Sequence, residues 1–148
     1  TYRTRAVLNG SVPEIDKEST DAFLDAEARS LVRYLFFADE AKFPLGGITG
    51  DLKLKAHFLS RAQRSPTGLS LRDLELSTRL FKHRCSYMIH SAAFSGLPEQ
   101  LKERVFSHMS QALDLERPLP EYAYLPAKEK QAIRGILQDT FPGLPKGW

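Results

Sequence analysis

Apolar residues recur every three or four positions in several parts of the chain, which is the spacing of one face of an α-helix. The longest such pattern covers residues 70–91. Its predicted core face consists of Leu74, Thr78, Phe81, Cys85, Met88 and Ala92. Ser70 is a suitable N-cap, and Asp73 stands near the positive end of the helix. The pattern therefore predicts a central helix, begun near Leu71, that is the most buried element of the fold.

Four other segments carry helical patterns, namely residues 20–41, 51–61, 98–113 and 126–140. Two of them open with a proline, which is well tolerated at the first helical position. In the second segment the pattern turns Leu54, Phe58 and Leu59 inwards. Proline and glycine mark the loops between segments and the tail, whose terminal Trp148 is expected to pack back onto the domain. The sequence thus predicts an all-α, single-domain bundle of about five helices.

The first 18 residues fit no helical pattern. Asn9-Gly10 is a turn signal between short apolar pieces, but the flanking strands would be very short. We therefore expect an irregular, extended N-terminal arm over residues 1–18 and a helical domain over residues 19–148. Because the sequence begins with Thr1 rather than methionine, we also expect the chain to be processed or excised from a larger polypeptide.

The composition is ordinary, but acidic and basic residues are unevenly distributed along the chain. The 148 residues are 42% hydrophobic and 26% charged, which is typical of a globular protein. The longest apolar run, residues 34–38, is far below the roughly 20 residues that a bilayer requires, so no membrane span is predicted. Residues 14–40 contain eight acids and three bases, whereas residues 53–84 contain eight bases and two acids. This difference predicts complementary surfaces, within the fold or across an interface.

A polar stripe lies opposite the predicted core face of the central helix. It consists of Arg72, Glu75, Arg79, His83, Ser86 and His90. Two arginines that precede the helix extend it, so the candidate binding face comprises Arg61, Arg64, Arg72, Arg79, His83 and His90. Arginine donors suit a carboxylate or a phosphate. The alternative interpretation is an ordinary solvated helix face.

The sequence assigns no catalytic residue, metal site or cofactor. On a helix His83 and His90 would lie two turns apart, roughly 10 Å, whereas helical metal pairs are usually one turn apart. Cys85 stands in line with apolar residues and is expected to be a small buried hydrophobe. A single cysteine excludes an internal disulfide and does not distinguish the cytoplasm from an oxidising compartment. The glycines of residues 46–50 lack the Gly-Lys-Ser/Thr ending of a phosphate loop and predict a turn.

Three functions remain open at this stage. The favoured hypothesis is a non-catalytic helical interaction or accessory module, which binds a protein partner or completes a larger polypeptide. An enzyme that uses His83, His90, Arg79 and an acid of the first helix for acid–base catalysis, with Ser86 near the histidines, is the first alternative. The second is a nucleic-acid binder whose basic residues contact phosphates. It ranks lower because the sequence lacks a recognisable helix-turn-helix or RNA-binding signature.

Four stretches of the chain carry a resemblance, namely Leu71-Arg72-Asp73-Leu74, Arg79-Leu80-Phe81, Arg84-Cys85-Ser86-Tyr87-Met88-Ile89 and residues 133–148. Together they resemble the C-terminal region of large exported bacterial proteins of uncharacterised function. The resemblance covers about residues 31–148. It implies a domain of a longer chain in a periplasmic or extracellular location, and it supplies no activity and no functional residue.

Overall fold

The structure, a computed structural model, describes residues 17–148, and this part of the chain is all-α. Its five α-helices, labelled α1 to α5 in order, are Lys17–Leu35, Leu52–Ser60, Ala92–Ser95, Glu99–Ala112 and Ala127–Thr140. Two 3-10 helices, Tyr87–His90 and Pro120–Tyr122, interrupt the loops. The predicted all-α fold of about five helices is confirmed. Residues 1–16 of the predicted arm lie outside the described residues, and residues 17 and 18 already belong to α1.

The core forms where α1, α4 and α5 bury their apolar faces. The buried residues of these helices include Ala28, Val32, Leu35, Val105, Phe106, Met109, Ala112, Ile133, Ile136 and Leu137. Two polar contacts also join α1 to α4. Arg104 Nη2 lies 2.7 Å from Asp21 Oδ1, and His108 Nε2 lies 2.8 Å from Asp25 Oδ1. Acidic residues of α1 are therefore paired with α4 rather than with the basic middle of the chain.

The C-terminal tail folds back against this core, as the sequence predicted. The indole Nε1 of Trp148 donates to the Phe106 carbonyl oxygen at 2.8 Å. The guanidinium of Arg134 lies 5.2 Å from the centre of the indole ring. A cation close to the face of an indole is attracted by its π electrons, so the last residue is held by both a hydrogen bond and a ring contact.

Residues 70–91 do not form the predicted central helix. They fold as an irregular loop with an isolated antiparallel bridge between Leu74 and Phe81, and they end in the 3-10 helix Tyr87–His90. Phe81 and Cys85 are buried as predicted. Three other members of the predicted core face are exposed, namely Thr78, Met88 and Ala92. The most buried helices are instead those of the α1, α4 and α5 core.

Local hydrogen bonds explain why this segment is not helical. The carboxylate of Glu75 accepts from the backbone N–H groups of Thr78 and Arg79 at 2.8 and 2.9 Å, and also from the Ser77 hydroxyl. The Ser77 hydroxyl, followed by these N–H groups, lowers the pKa of Glu75 to about 2. Leu76, within the same turn, has a φ of +66°. A side chain that satisfies nearby backbone groups offers the chain an alternative to the helix, which here overrides the apolar spacing.

Helix α2 has nearly its predicted bounds but not its predicted orientation. Asp51 caps it by accepting from the Leu54 N–H at 2.8 Å. Phe58 and Leu59 are half-buried, in agreement with the prediction, whereas Leu54 is 67% exposed. The inward position predicted for Leu54 is therefore wrong, because only the C-terminal end of this short helix reaches the rest of the domain.

Candidate functional site

A basic cleft lies between the C-terminal end of α2 and the 3-10 helix Tyr87–His90. Its volume is about 150 Å³, and its polar lining consists of Arg61, Gln63, Ser70, Arg72, His90 and Ser91. These residues come from three separate segments of the chain. No carboxylate contributes to the lining within residues 17–148. We call this site the basic cleft.

Arg72 is the most firmly positioned cation of the basic cleft. Its guanidinium carbon lies 4.6 Å from the centre of the Phe58 ring and 4.2 Å from that of Tyr87. The Nη1 atom donates to the Phe58 carbonyl oxygen at 3.3 Å. No acceptor for the Nε and Nη2 atoms is found among residues 17–148. Two aromatic rings and a carbonyl thus hold a planar group of donors, and part of that group has no protein acceptor.

His90 and Arg61 complete the charged part of the basic cleft. His90 Nε2 lies 3.1 Å from Thr140 Oγ1. Burial lowers the pKa of His90, a backbone hydrogen bond with Tyr87 opposes this effect, and the positive charge of Arg72 lowers the pKa further. Because the pKa lies below its ordinary value, the imidazole is mainly neutral at pH 7. The exposed Arg61 forms no ion pair with any described residue.

The other three residues of the predicted binding face lie elsewhere. Arg64 Nη1 forms an ion pair with Asp73 at 2.9 Å. Arg79 donates to backbone carbonyl groups of its own turn, and its Nη2 atom lies 3.8 Å from a carboxylate oxygen of Glu129. His83 is buried, so it does not belong to a polar surface. The predicted stripe is wrong as a single face, because the helix that would have aligned it does not form.

His83 has an unusual environment for a polar side chain. It is only 6% exposed, and its Nε2 atom is buried without a hydrogen-bond partner in the described part of the chain. Burial lowers the pKa of His83, the negative charge of Asp73 opposes this effect, and the positive charge of Lys82 adds to it. The imidazole is therefore held in its neutral form inside the protein.

A largely buried ion pair, which the sequence analysis did not predict, connects the 70–91 segment to α5. Arg84 meets the Glu129 carboxylate with its Nε and Nη2 atoms at 3.1 and 2.6 Å, and the Arg84 backbone N–H donates to the same group at 2.8 Å. Burial alone would raise the pKa of Glu129, but these bonds lower it below its ordinary value. The two residues are 45 positions apart, and no local pattern pairs them.

A second surface of interest is an apolar segment at residues 45–54. It carries four exposed large apolar side chains, namely Leu45, Ile48, Leu52 and Leu54. Leu52 is 75% exposed and Leu54 is 67% exposed, and α2 has no fully buried residue. Single exposed apolar residues are common, but four within ten positions make this segment a candidate interaction surface. We call residues 45–54 the apolar segment.

The groups proposed for catalysis are separated in the structure. The hydroxyl of Ser86 accepts from the Met88 N–H at 3.3 Å and caps the 3-10 helix. No hydrogen bond links Ser86 to His83 or to His90 among the described residues. Cys85 is fully buried, as predicted, and burial raises its pKa. Within residues 17–148 no group of three or more histidine, cysteine, aspartate or glutamate side chains is placed to hold a metal ion.

Comparisons with protein-family models, with curated proteins and with solved structures gave no match for this chain. Among the helices of residues 17–148, none has the length and apolar character needed to cross a membrane. The basic cleft and the apolar segment are the two surfaces of this part of the chain that could bind a partner or a ligand.

Proposed function

We propose that this chain is a non-catalytic interaction module that binds a protein partner through the apolar segment. One observation supports this proposal above all: four large apolar side chains are exposed within ten residues, on a part of the fold that buries almost nothing. Each such side chain that a partner covers is removed from water, at a gain of about 25 cal/mol per Å² of apolar surface. The exposed surface thus provides a driving force for association.

Charge indicates which kind of partner would fit. Lys42, Lys53 and Lys55 stand within or beside the apolar segment, whereas its one acid, Asp51, is engaged as the cap of α2. The rim of the surface is therefore positive. We propose a protein partner whose apolar surface is bordered by carboxylates, because complementary charge guides association and disfavours other partners. The resemblance to exported proteins favours a periplasmic or extracellular setting, and a role within a larger polypeptide.

A display selection would test this proposal. Peptides selected on the whole chain should combine apolar residues with aspartate or glutamate. They should bind a Leu52→Ser/Leu54→Ser variant about tenfold or more weakly, because the loss of two anchors typically costs more than 1.4 kcal/mol. Phe23→Ser is the matched control, since Phe23 is an exposed apolar residue of α1, outside the segment.

Two results would contradict the proposal. The first is selected peptides that bind the double variant as tightly as the original chain. The second is a salt-sensitive association with a DNA duplex together with no acidic, apolar consensus among the peptides. That second result would favour the nucleic-acid hypothesis, because phosphate contacts weaken steeply as salt rises.

A further inference from the structure

The arginines that line the basic cleft have no carboxylate beside them in the lining formed by residues 17–148. Arg61 and Arg72 approach from different segments, and no carboxylate lines the cleft within the described chain. Other arginines of the basic middle do have such partners: Arg64 is paired with Asp73, and Arg84 with Glu129. The positive charge left over is thus concentrated at one concave place, which is the arrangement that favours an anion.

Arg72 is prepared to bind an oxyanion before any ligand arrives. Its guanidinium is held by the rings of Phe58 and Tyr87 and by one carbonyl, so little side-chain freedom remains to be lost. A planar guanidinium with unused donors presents them in a fork that matches two oxygens of a phosphate or carboxylate. The aromatic support therefore serves to orient Arg72 as well as to bury its stem.

The surroundings of His90 would respond to an anion. The Thr140 hydroxyl donates to the Ile136 carbonyl oxygen at 2.6 Å, so its oxygen is free to accept from His90 Nε2 at 3.1 Å. A backbone hydrogen bond with Tyr87 also favours the protonated ring, whereas burial and Arg72 oppose it. A negative charge beside Arg72 would offset that opposition. Binding of an anion should therefore raise the pKa of His90.

We infer that the basic cleft is a binding site for one phosphate group, either free or as the end of a phosphate monoester, held by Arg61 and Arg72. The volume of about 150 Å³ leaves room for a group the size of a phosphate, which has five non-hydrogen atoms. The site is separate from the apolar segment, so this inference does not rest on the proposed function.

Inorganic phosphate is the probe for a test by NMR. Phosphate added to the whole chain, at an ionic strength matched with chloride, should cause saturable shifts of the Arg72 Nε and His90 ring signals. It should also raise the pKa of His90. Acetate should bind several-fold more weakly, because it offers two oxygens rather than four. Equal binding of acetate and phosphate would overturn the phosphate assignment, and shifts that chloride reproduces would overturn the site itself.

Variants identify the residues involved. Arg72→Lys keeps a cation near the rings but removes the fork, so phosphate binding should weaken about tenfold. Arg61→Gln, at an exposed position where folding is not at risk, should weaken it about threefold through the loss of one charge. The control is Arg117→Gln, which removes an exposed arginine outside the cleft. Unchanged phosphate affinity in both cleft variants would contradict the inference, whereas peptide binding at the apolar segment should persist in all three.

Discussion

The helical core and the 70–91 segment both carry apolar residues three or four positions apart, yet only the core is helical. In α1 and α4 the periodic residues meet each other across an interface, as Val32 and Met109 illustrate by being fully buried. In the 70–91 segment the polar residues between the apolar ones bond to the backbone instead, most clearly at Glu75. Periodicity therefore indicates a helix only where the intervening polar residues do not compete for backbone groups.

The two regions also differ in how they are held in place. The core is held by apolar packing, which depends little on direction and weakens as buried volume is removed. The 70–91 segment packs Leu71, Cys85 and Ile89 into the same core and adds directional polar contacts. Ser86 N–H donates to the Leu35 carbonyl oxygen at 2.7 Å, and Arg84 is paired with Glu129. Substitutions in the segment should accordingly reveal which polar contacts matter, whereas substitutions in the core should scale with buried volume.

The largest effect should follow from breaking the Arg84–Glu129 pair. Arg84→Met would leave the carboxylate of Glu129 buried, with Arg79 at 3.8 Å as its remaining cationic neighbour. Removal of one partner of a buried pair typically costs 3–5 kcal/mol, so we expect a loss of about 4 kcal/mol in the free energy of unfolding. Urea titration followed by circular dichroism would measure it.

A control variant and a double variant show whether the loss is due to the ion pair itself. Glu103→Gln changes an exposed acid of α4 with no ion pair among the described residues, so its effect should stay within about 0.5 kcal/mol. If Arg84→Met were as mild as this control, the segment would be held to α5 by something other than the ion pair. The double change Arg84→Met/Glu129→Met should be less destabilising than the sum of the single changes, because neither charge is then left unpaired.

The two methionines provide the most direct comparison between core and segment. Met109→Ala removes a fully buried side chain from α4 and should cost about 3 kcal/mol. Met88→Ala removes a side chain that is 46% exposed and should cost less than about 1 kcal/mol. The sequence predicts that Met88 lies in the core of a central helix. Equal losses of unfolding free energy for the two substitutions would support that prediction and contradict the structure. Both costs are measured by urea unfolding of the same protein preparation.

The parts of the fold that could be predicted are those whose periodic residues face one another. The bounds of α2, α4 and α5 were predicted within one residue, and Pro98 and Pro126 directly precede α4 and α5. Helix α1 ends six residues before its predicted end, and the short helix α3 was not predicted. The central helix was predicted wrongly. Its apolar residues have helical spacing, but the carboxylates of Asp73 and Glu75 accept hydrogen bonds from nearby backbone N–H groups and favour turns instead. Nothing in residue spacing alone indicates which of these two tendencies prevails.

The sequence predicted some of the residues of the candidate site but not their arrangement in space. Arg61, Arg72 and His90 were included in the predicted binding face and do line one cleft, although no helix face aligns them. Arg72 is held there by the rings of Phe58 and Tyr87, and no local pattern in the chain pairs these two aromatic residues. A turn at residues 65–68, in which the Gly68 N–H donates to the Ser65 carbonyl oxygen at 2.8 Å, lies between Arg61 and Arg72 in the chain.

Replacing a glycine by alanine should change stability in opposite directions in the loop region and in the helical core. Gly47 has a φ of +67°, and a Cβ there would collide with the backbone of Leu76 and Ser77. Gly47→Ala should therefore cost about 2 kcal/mol. Gly135 lies within α5 with no atom close to a would-be Cβ, so Gly135→Ala should stabilise by up to about 1 kcal/mol. Thermal unfolding would show shifts of opposite sign, and a neutral Gly47→Ala would mean that the loop is not packed against residues 76–77.

The smallest expected effect is on the pH dependence of stability. Its measurement tests whether the 70–91 segment keeps His83 neutral. The pKa of His83 is lower in the folded protein than in the unfolded chain, so the unfolded chain gains the proton first. Stability should consequently fall as pH decreases below about 6.5, with a slope of at most about 1.4 kcal/mol per pH unit from this residue, until the folded pKa is passed. His83→Leu should flatten that slope, leaving the part due to His90, whereas His57→Gln, at an exposed position, should not change it. An unchanged slope in His83→Leu would show that the buried ring accepts a proton without cost, which its unpartnered Nε2 argues against.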